Sequence, residues 1–398
     1  MTGKTHTPYG DKTAMVQQAV GLFAAHTQRN TTLNRLTGKM PTGTSGAEAT
    51  LRKQTTQHMP IVRCQDLGKC KGDEVTFHLL NPVGAKPIMG SEYAEGRGVG
   101  LKLSEDRLRV NQARFPIDLG DTMTTIRSPA DFRRLGRPVA QKLADQYVDQ
   151  SLLVHMAGAR GFHDNIEWSV PTVADPKFAE IMVNPVKAPT KNRHFIADGT
   201  NGIQPFTVNA GEVDLTTTDM FTMDTVDGVR TYMEQIALPP PAVIFECDEA
   251  ATDSPLRVML VSSAQYTRFA ADPNFRQMQA SALARASQAG GHPLFKGDVG
   301  LWNGILIVKM PKPIRFYAGD TIQYCAAYNT EVESSCVVPD SFADKFAIDR
   351  AILLGGQAVA EAFAASEKAK LPFFWSEKEL DHGDKVELLL GMIRGVSE

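Results

Sequence analysis

The sequence lacks the segments that carry a chain into or across a membrane. No run of about eighteen apolar residues, the length that spans a bilayer, occurs among its 398 residues. Residues 1–18, MTGKTHTPYGDKTAMVQQ, contain no apolar core of the kind that defines a signal peptide. We therefore expect a protein that is made and kept in a cytoplasm and that has no membrane partner.

Cysteine is also scarce. The chain has five cysteines, an odd number spread widely over the sequence: Cys64, Cys70, Cys247, Cys325 and Cys336. The first two are separated by five residues, a spacing typical of neither zinc ribbons nor dithiol redox enzymes. In a reducing compartment this pattern predicts free thiols rather than a disulfide framework.

The chain has little net charge, but its charged residues are unevenly distributed. The formal net charge of -3 is too small to indicate nucleic acid or a membrane as the main partner. Residues 1–60, however, contain seven Lys and Arg against two Asp and Glu, and the rest of the chain is acidic. The basic residues of this segment are candidates for contact with acidic neighbouring surfaces or with DNA phosphates: Arg29, Arg35, Lys39, Arg52 and Lys53.

Motifs of nucleophilic and phosphate chemistry are missing as well. No G-x-S-x-G sequence occurs, which argues against a serine nucleophile on a tight strand-to-helix turn. The glycine-rich residues 90–100, GSEYAEGRGVG, are followed by residues that alternate in polarity rather than by a helix, and no Lys-Ser or Lys-Thr pair follows them. A phosphate-binding loop needs that helix, so this segment is not predicted to bind phosphate.

Four polar side chains keep an enzyme of another class open as an alternative. His155, His163, Asp164 and Asp384 could serve a metal-dependent hydrolase, but their spacing is not that of a zinc site. Packing at a helix end for His155, and turn formation for Asp384, are the favoured explanations of these residues. We predict no catalytic residue, no metal site and no cofactor.

Alternation in polarity predicts a long hairpin over residues 61–118. Val75, Phe77 and Leu79 share one face of a strand, and Leu108 and Val110 alternate with polar residues beyond the glycines. Both faces carry polar groups, so the hairpin is expected to project from its domain. An isolated two-stranded ribbon is marginally stable, so it must rest against another surface.

A helix, the longest in the chain, is predicted over residues 128–158. Ser128 can cap its start, and Pro129 suits its first turn. Pro138 allows two forms: a short turn followed by a helix over 138–157, or one long helix that is bent at the proline. Its apolar residues form one stripe: Leu135, Val139, Leu143, Val148, Leu152 and Met156.

The two ends of the chain carry further predicted elements. Within the polar first sixty residues, a helix over 14–28 places Val16, Val20 and Phe23 on one side, and the remainder is expected to be ordered only by neighbouring molecules. An α/β pattern begins near residue 223. It includes an apolar helix over 349–367 and a closing strand over 385–396.

Several of these stretches resemble a known family. The runs LVHMAGARG, DPKFAEIMVNPVKAPTKNRHFIADG, VMLVSSAQYTRFAADPNFRQMQ, GDVGLWNGILIVKM and FWSEKELDHGDKVELLLGMIRG occur in order over nearly the whole chain. They look like the major capsid proteins of lytic podoviruses that carry a giant RNA polymerase in the virion. The VNPVKAPTKNRHF segment is the most specific of them.

This resemblance implies an α+β capsid fold of the Hong Kong 97 type. The parts that it implies match the segments above: an N-terminal arm over 1–60, an extended hairpin loop over 61–118, a peripheral domain with a long spine helix over 119–222, an axial domain over 223–350, and the axial end with a return strand over 351–398. The function that it implies is self-assembly, as hexamers and pentamers in a host bacterial cytoplasm, into the icosahedral head of a tailed phage. A cargo-enclosing bacterial nanocompartment of the same fold is the alternative.

The resemblance also implies contact residues and partners. Residues at the hairpin tip are expected to touch an adjacent subunit: Glu92, Glu95, Gly96, Arg97, Gly98 and Gly100. Glycine permits the differing backbone angles that non-identical sites in a shell demand. The expected partners are other copies of the chain, scaffolding, portal and decoration proteins, and packaged double-stranded DNA bound without sequence preference.

Overall fold

The computed structural model describes most residues of the chain. They are residues 12–38, 58–64, 73–80, 84, 86–101, 103–128, 131–164, 167–236, 239–245, 255–273, 275–276, 299–328, 330–343, 346–365 and 371–398.

Helices and strands alternate irregularly along the chain. The helices are α1 Lys12–Thr27, α2 Thr32–Arg35, α3 Thr122–Arg127, α4 Phe132–Ala157, α5 Phe178–Met182, α6 Met223–Gln235 and α7 Ser263–Ala270. The strands are β1 Ile61–Cys64, β2 Glu74–Leu80, β3 Leu103–Arg109, β4 Asn111–Asp121, β5 Phe195–Asp198, β6 Gly202–Pro205, β7 Val208–Asn209, β8 Glu212–Val213, β9 Arg257–Val261, β10 Val299–Trp302, β11 Ile305–Lys309, β12 Arg315–Phe316, β13 Thr321–Cys325, β14 Glu333–Val337, β15 Ile348–Asp349, β16 Ile352–Leu354, β17 Val359–Phe363, β18 Phe373–Leu380 and β19 Lys385–Ser397.

A five-stranded sheet built around β19 is the centre of the molecule. Strand β18 pairs with one part of β19, and β4 and β17 pair with it as well, while β1 adds to β17 in parallel. The sequence prediction of a closing strand over 385–396 is confirmed. Because β19 is 13 residues long, it can hold strands from distant parts of the chain in one layer.

The spine helix α4 packs on this sheet. The Asp131 carboxylate caps its start by accepting a bond from Arg134 N at 3.1 Å, and Gly158, with φ of 59°, ends it in the left-handed conformation. The helix runs without interruption through Pro138 and begins four residues after the predicted start at Ser128. Of the two forms predicted, a single helix is confirmed over 132–157, and its bend at Pro138 stays a prediction.

The face of α4 that meets the sheet differs from the predicted apolar stripe. Val148 and Leu152 are buried as expected, but Leu135, Val139 and Leu143 are 53%, 50% and 37% exposed. A row of small residues faces the sheet in their place: Gly136, Ala140 and Ala144. A Cβ on Gly136 would lie 2.7 Å from a Leu119 side-chain carbon, so the small row allows the helix to approach the strands closely.

The arm helix α1 packs on the same sheet beside α4. Ala19 and Leu22 are buried, together with Leu33 and Leu36 after the helix, whereas Val16 and Val20 of the predicted apolar side are exposed. Of the predicted apolar side, only Phe23 packs against the core, where its ring lies 6.0 Å from that of Phe373. Residues 29–38, beyond the predicted helix, also pack on their own subunit's core through Leu33 and Leu36, which corrects the expectation that only neighbouring molecules order them.

The extended hairpin is present but spans a shorter part of the chain than predicted. β2 pairs with β3 from the pair Glu74 and Arg109 to the pair Leu80 and Leu103. The range 61–118 also contains β1 and most of β4, which pair with β17 and β19 in the main sheet instead.

A second sheet, in the order β10-β11-β9-β16, forms the core of the α/β part with α6 and α7. Its last strand lies where a helix over 349–367 was predicted. Gly355 and Gly356 interrupt that segment, and strands β16 and β17 lie on either side of them. Short apolar runs fit a buried strand as well as a helix, which is the reason for the error.

One close approach in the main sheet is open to a stability test. Phe374 lies opposite Gly391 across β18 and β19, and a Cβ on Gly391 would lie 1.9 Å from the phenyl ring. We expect Gly391→Ala to lower the free energy of unfolding by about 1–3 kcal/mol, because overpacking displaces the ring. Urea titration of the unassembled subunit measures this change.

Gly98→Ala is the matched control, because a Cβ there meets nothing within 4 Å. Adding Phe374→Leu to Gly391→Ala should recover part of the loss, since the two side chains compete for one space. Equal urea midpoints for Gly391→Ala and Gly98→Ala would contradict the close packing.

Candidate assembly interface

The hairpin tip stands clear of its own subunit. All described residues from 86 to 101 are exposed. A Cβ added at Gly96, Gly98 or Gly100 would meet no described atom within 4 Å. The tip therefore has its surface available for another molecule.

Contacts within the tip hold it in a turn. Glu92 accepts a bond from Arg97 Nη1 at 2.7 Å, and Arg97 N donates to Ala94 O at 3.2 Å. The Tyr93 hydroxyl donates to Glu95, and this bond raises the pKa of Tyr93 above its ordinary value. Both partners of the ion pair are exposed, and such pairs contribute about 0–1 kcal/mol, so this pair shapes the turn more than it stabilises it.

Only one of the three predicted tip glycines adopts a conformation that requires glycine. Gly96 has φ of 80°, in the left-handed region, whereas Gly98 and Gly100 do not have positive φ. Gly96 thus makes the turn possible. The role of the other two in accommodating different neighbours stays a prediction.

Large apolar side chains surround the charged residues of the tip. Met89, Tyr93 and Leu101 are 73%, 72% and 72% exposed. Apolar groups that remain in water at the end of a projecting element mark a surface for another protein. The tip thus combines apolar contact area with a small number of charges.

The arm residues do not form one surface. Arg29 is buried, and its Nη2 donates to Asp149 of α4 at 2.8 Å, so it faces its own subunit rather than a neighbour or DNA. Its prediction as an external contact was wrong, because α1 and α4 lie side by side and enclose it. Arg35 is exposed and donates to Asn30 at 3.0 Å. Lys39, Arg52 and Lys53 lie outside the described residues.

His26 extends the contact between the arm and the spine helix. Its Nδ1 lies 2.7 Å from Asp145 Oδ1, and its Nε2 lies 2.5 Å from Arg29 Nη1. Arg29 Nη1 also lies 2.9 Å from His26 Nδ1. The neutral tautomer with the proton on Nδ1 can donate to Asp145. Burial lowers the pKa of His26 to about 4, although the hydrogen bond to Asp145 opposes that shift.

A buried carboxylate lies beneath the arm and joins three strands. Glu361 of β17 is 0% exposed and accepts from Arg63 Nε of β1 at 2.9 Å and from Arg394 Nε of β19 at 2.6 Å. Arg394 also donates to Ser151 Oγ and Val148 O of α4. The cluster therefore ties β1, β17, β19 and the spine helix together.

The electrostatics of this cluster keep the carboxylate ionised. Burial alone would raise the pKa of Glu361, but the guanidinium groups led by Arg63 and Arg394 hold that pKa well below its usual range. Sequence reasoning missed the cluster because it placed Glu361 on a helix. A signal was available, since Arg63, Glu361 and Arg394 are lone charges inside apolar runs of otherwise strand-like sequence.

The exposed row on α4 is a second bare apolar surface. Leu135, Val139 and Leu143 are followed at the same spacing by Tyr147, whose ring packs 5.8 Å from that of Phe115. The row is thus covered at its C-terminal end and bare at its N-terminal end. Arg137 and Asp145, on the arm side, lie two positions away from the row, about half a turn around the helix.

The residues of the enzyme alternative do not come together. His155 Nε2 lies 3.4 Å from Met182 O, and His163 Nδ1 lies 2.9 Å from the Tyr317 hydroxyl. Asp384 N donates to Asp381 O at 3.1 Å in a turn, and Asp384 O accepts from Thr122 N at 3.1 Å. Among the residues that the structure describes, no group of three His, Cys, Asp or Glu could hold a metal ion.

No helix among the described ranges is both long and apolar enough to cross a bilayer.

Three of the cysteines lie among the described residues. Cys64, Cys325 and Cys336 are buried, and they are free, as predicted. Cys70 and Cys247 lie outside the described residues.

Comparison with known proteins decides between the remaining alternatives. The sequence model of a family described as phage capsid protein matches residues 6–398. This chain belongs to the phage capsid protein family. It is a major capsid protein of a phage head, a structural protein of the virion rather than a hydrolase. No curated protein sequence matches it.

Solved capsid structures share the fold of this capsid protein. The capsid of Ralstonia phage GP4 is 20% identical with a TM-score of 0.64, covering 86% of this chain and 84% of that one. The cyanophage Pam1 capsid is 14% identical with a TM-score of 0.58, covering 93% and 92%. The capsid of Helicobacter pylori phage KHP30 is 11% identical with a TM-score of 0.54, covering 90% and 86%. The predicted Hong Kong 97-type fold is confirmed.

Removal of the buried carboxylate should disrupt the centre of this capsid protein. We expect Glu361→Gln to lower the free energy of unfolding by about 3–5 kcal/mol, because it leaves buried guanidinium charge without its counter-charge. Urea denaturation of the unassembled subunit measures the loss. Glu379→Gln, at an exposed position of β18, is the control and should shift the midpoint little. Similar midpoints for both variants would count against the cluster.

Buried histidines should make the subunit sensitive to acid. Burial lowers the pKa of His26 and His155 to about 4 and that of His194 to about 2, from 6.5. At these histidines the unfolded chain therefore binds more protons than the folded one below pH 6.5, so their stabilising contribution, present above pH 6.5, is lost as the pH approaches 4. Glu398 opposes this by one proton, because burial raises its pKa to about 7, which leaves the histidines dominant. Each histidine contributes about 1.4 kcal/mol per pH unit in that window.

Urea midpoints between pH 7 and about 4.5 test this expectation. His26→Gln keeps one donor and one acceptor but does not titrate, so its slope against pH should be smaller by about one proton. A midpoint for the native chain that does not change over this range would refute the expectation.

Proposed function

We propose that this capsid protein closes, as hexamers and pentamers, into an icosahedral shell around the double-stranded DNA of a tailed phage. The observation that carries this proposal is the projecting hairpin, whose tip exposes Met89, Tyr93 and Leu101 and stands clear of its own subunit. An exposed apolar surface of this kind in a capsid protein needs a second copy of the chain to cover it. Many weak contacts of this kind become strong together, because each raises the effective concentration of the next.

The proposed division of the chain follows the sheets. The arm is 1–60, the extended loop 61–118, the peripheral domain 119–222, the axial domain 223–350, and 351–398 returns to the peripheral domain. One sheet against the spine helix contains β4, β17, β18 and β19, which supports a single peripheral unit. A second sheet contains β9, β10, β11 and β16, which supports a separate axial core. The bare row Leu135, Val139 and Leu143 is assigned to contacts between subunits.

The proposed contacts at the tip are made by Glu92, Glu95, Gly96, Arg97, Gly98 and Gly100. The exposed Arg35, with Lys39, Arg52 and Lys53, supplies the proposed contacts of the arm with a neighbour or with DNA. The net charge of the chain is negative, so packaged DNA should move along most of the wall without adhering to it. Scaffolding, portal and decoration proteins complete the proposed partners.

The finer class is proposed from sequence motifs. The segment VNPVKAPTKNRHF and the ordered runs around it support a place among the capsid proteins of lytic podoviruses that carry a giant RNA polymerase in the virion. Co-purification of such a polymerase with native particles tests this class.

Deletion of residues 89–101 tests the role of the tip. We expect the shortened chain to remain soluble and folded, since the deleted segment is fully exposed, but to form no shells. Circular dichroism checks the fold, and negative-stain electron microscopy of expressed protein checks for particles.

A triple variant and a charge control refine the test. Met89→Ser, Tyr93→Ser and Leu101→Ser together should block assembly as the deletion does, because they remove the apolar contact area. Glu92→Ala with Arg97→Ala removes two proposed charged contacts but keeps the apolar side chains, so it should weaken assembly less than the triple variant does. Intact particles from the deletion would refute the assigned role.

A further inference from the structure

The chain passes from the hairpin into the main sheet through one residue. β3 ends at Arg109, β4 begins at Asn111, and only Val110 lies between them. The direction in which the hairpin projects therefore depends on the backbone at this place, which we call the hairpin base (residues 108–110).

The side chain of Asn184 bonds both backbone groups of Arg109 in the hairpin base. Its Oδ1 accepts from Arg109 N at 2.9 Å, and its Nδ2 donates to Arg109 O at 3.0 Å. The same Nδ2 donates to Val396 O of β19 at 2.7 Å. One buried amide thus satisfies both backbone groups of Arg109 and joins them to the end of the central strand.

The backbone before Asn184 is strained. Val183 has φ of 68° and ψ of -57°, and Asn184 N donates to Met182 O at 2.8 Å, which together form a γ-turn of the rare kind with positive φ. A β-branched residue seldom adopts positive φ. Such a conformation persists only where the surroundings impose it, so it points to a role for the residue that it orients.

The spine helix supplies those surroundings. His155 Nε2 lies 3.4 Å from Met182 O, and the Tyr147 hydroxyl donates to Ile181 O at 2.9 Å. The carbonyl groups on the N-terminal side of the turn are therefore bonded to α4. The contacts form a continuous path from the spine helix, through the strained turn and Asn184, to the hairpin base.

The base has no room to shift without breaking other contacts. A Cβ on Gly395 would lie 1.9 Å from Arg109 O, so β19 passes directly against that carbonyl group. Leu108 is fully buried and packs in a small cluster with Val62 and Ala362. Beyond Arg109, Val110 N donates to Asp73 O at 2.8 Å.

We propose that Asn184 is a positioning residue that sets the angle at which the hairpin leaves the sheet, so that each subunit offers its tip in a preset direction. This inference rests on the proposed function, because the angle matters only if the tip binds another subunit. A preset hairpin loses less conformational entropy when it binds than a freely moving one. It also restricts the curvature of the shell, since a long lever converts a small change at its base into a large displacement of the tip.

The first test compares Asn184→Ala with Asn209→Ala, a change at an exposed asparagine of β7. In the unassembled subunit, hydrogen exchange of the Arg109 and Val110 amides should be faster by on the order of tenfold in Asn184→Ala, with protection of β18 unchanged. Particles from that variant should vary in diameter by electron microscopy. Asn209→Ala should match the native chain in both measurements.

The second test uses Asn184→Asp. At neutral pH its carboxylate can still accept from Arg109 N but cannot donate to either carbonyl group, so exchange at the hairpin base should be fast. Protonation restores one donor, because the acid group has nearly the shape of the amide. The ratio of its exchange rate to that of the native chain, measured at each pH, should therefore fall as the pH is lowered toward 5.

The outcomes separate this inference from the proposed function. A native chain that never forms shells would refute the function, while the exchange data would still test the hairpin base. Native shells together with Asn184→Ala shells of the same diameter and unchanged exchange would overturn the positioning role alone. Loss of the folded subunit in both Asn184 variants at every pH would also overturn it, in favour of a purely structural role.

Discussion

A carboxylate without access to water must be neutralised inside the fold, and Glu361 imposes that requirement on the centre of this capsid protein. Its counter-charges come from Arg63 and Arg394, on the strands that flank β17. Ser151 and Val148 O of the spine helix accept further bonds from Arg394. A charge left alone in this place would be strongly destabilising, so β1, β17, β19 and the spine helix must be in place together. They form the rigid body on which the rest depends.

The outlying parts join this body in different ways. The arm helix lies against the spine helix, held by the paired side chains of Arg29 and Asp149 and of His26 and Asp145. The hairpin instead leaves the sheet abruptly and exposes every described residue of its tip. A shell subunit needs both properties, since a stiff centre keeps its shape while a projecting element reaches another molecule.

Sequence patterns predicted the elements with strong local signals. Alternation in polarity indicated the hairpin, and a cap with a helical period indicated the spine helix. Prediction failed over 349–367, where two glycines divide an apolar run into strands, and for α1, where Leu22 rather than Val20 faces the core. In both places several apolar faces were available, and the sheet packed against them decided which was buried.

The sequence by itself determined the class of the protein, because ordered family motifs and local periodicity survive without any knowledge of contacts. Tertiary structure alone decided which charges lie inside. Arg63 and Glu361 are 298 residues apart in the chain, and Asn184 meets Arg109 across 75 residues. No local pattern encodes such pairs, since a lone charge or amide in a strand or loop has the same sequence context whether water or a distant partner satisfies it.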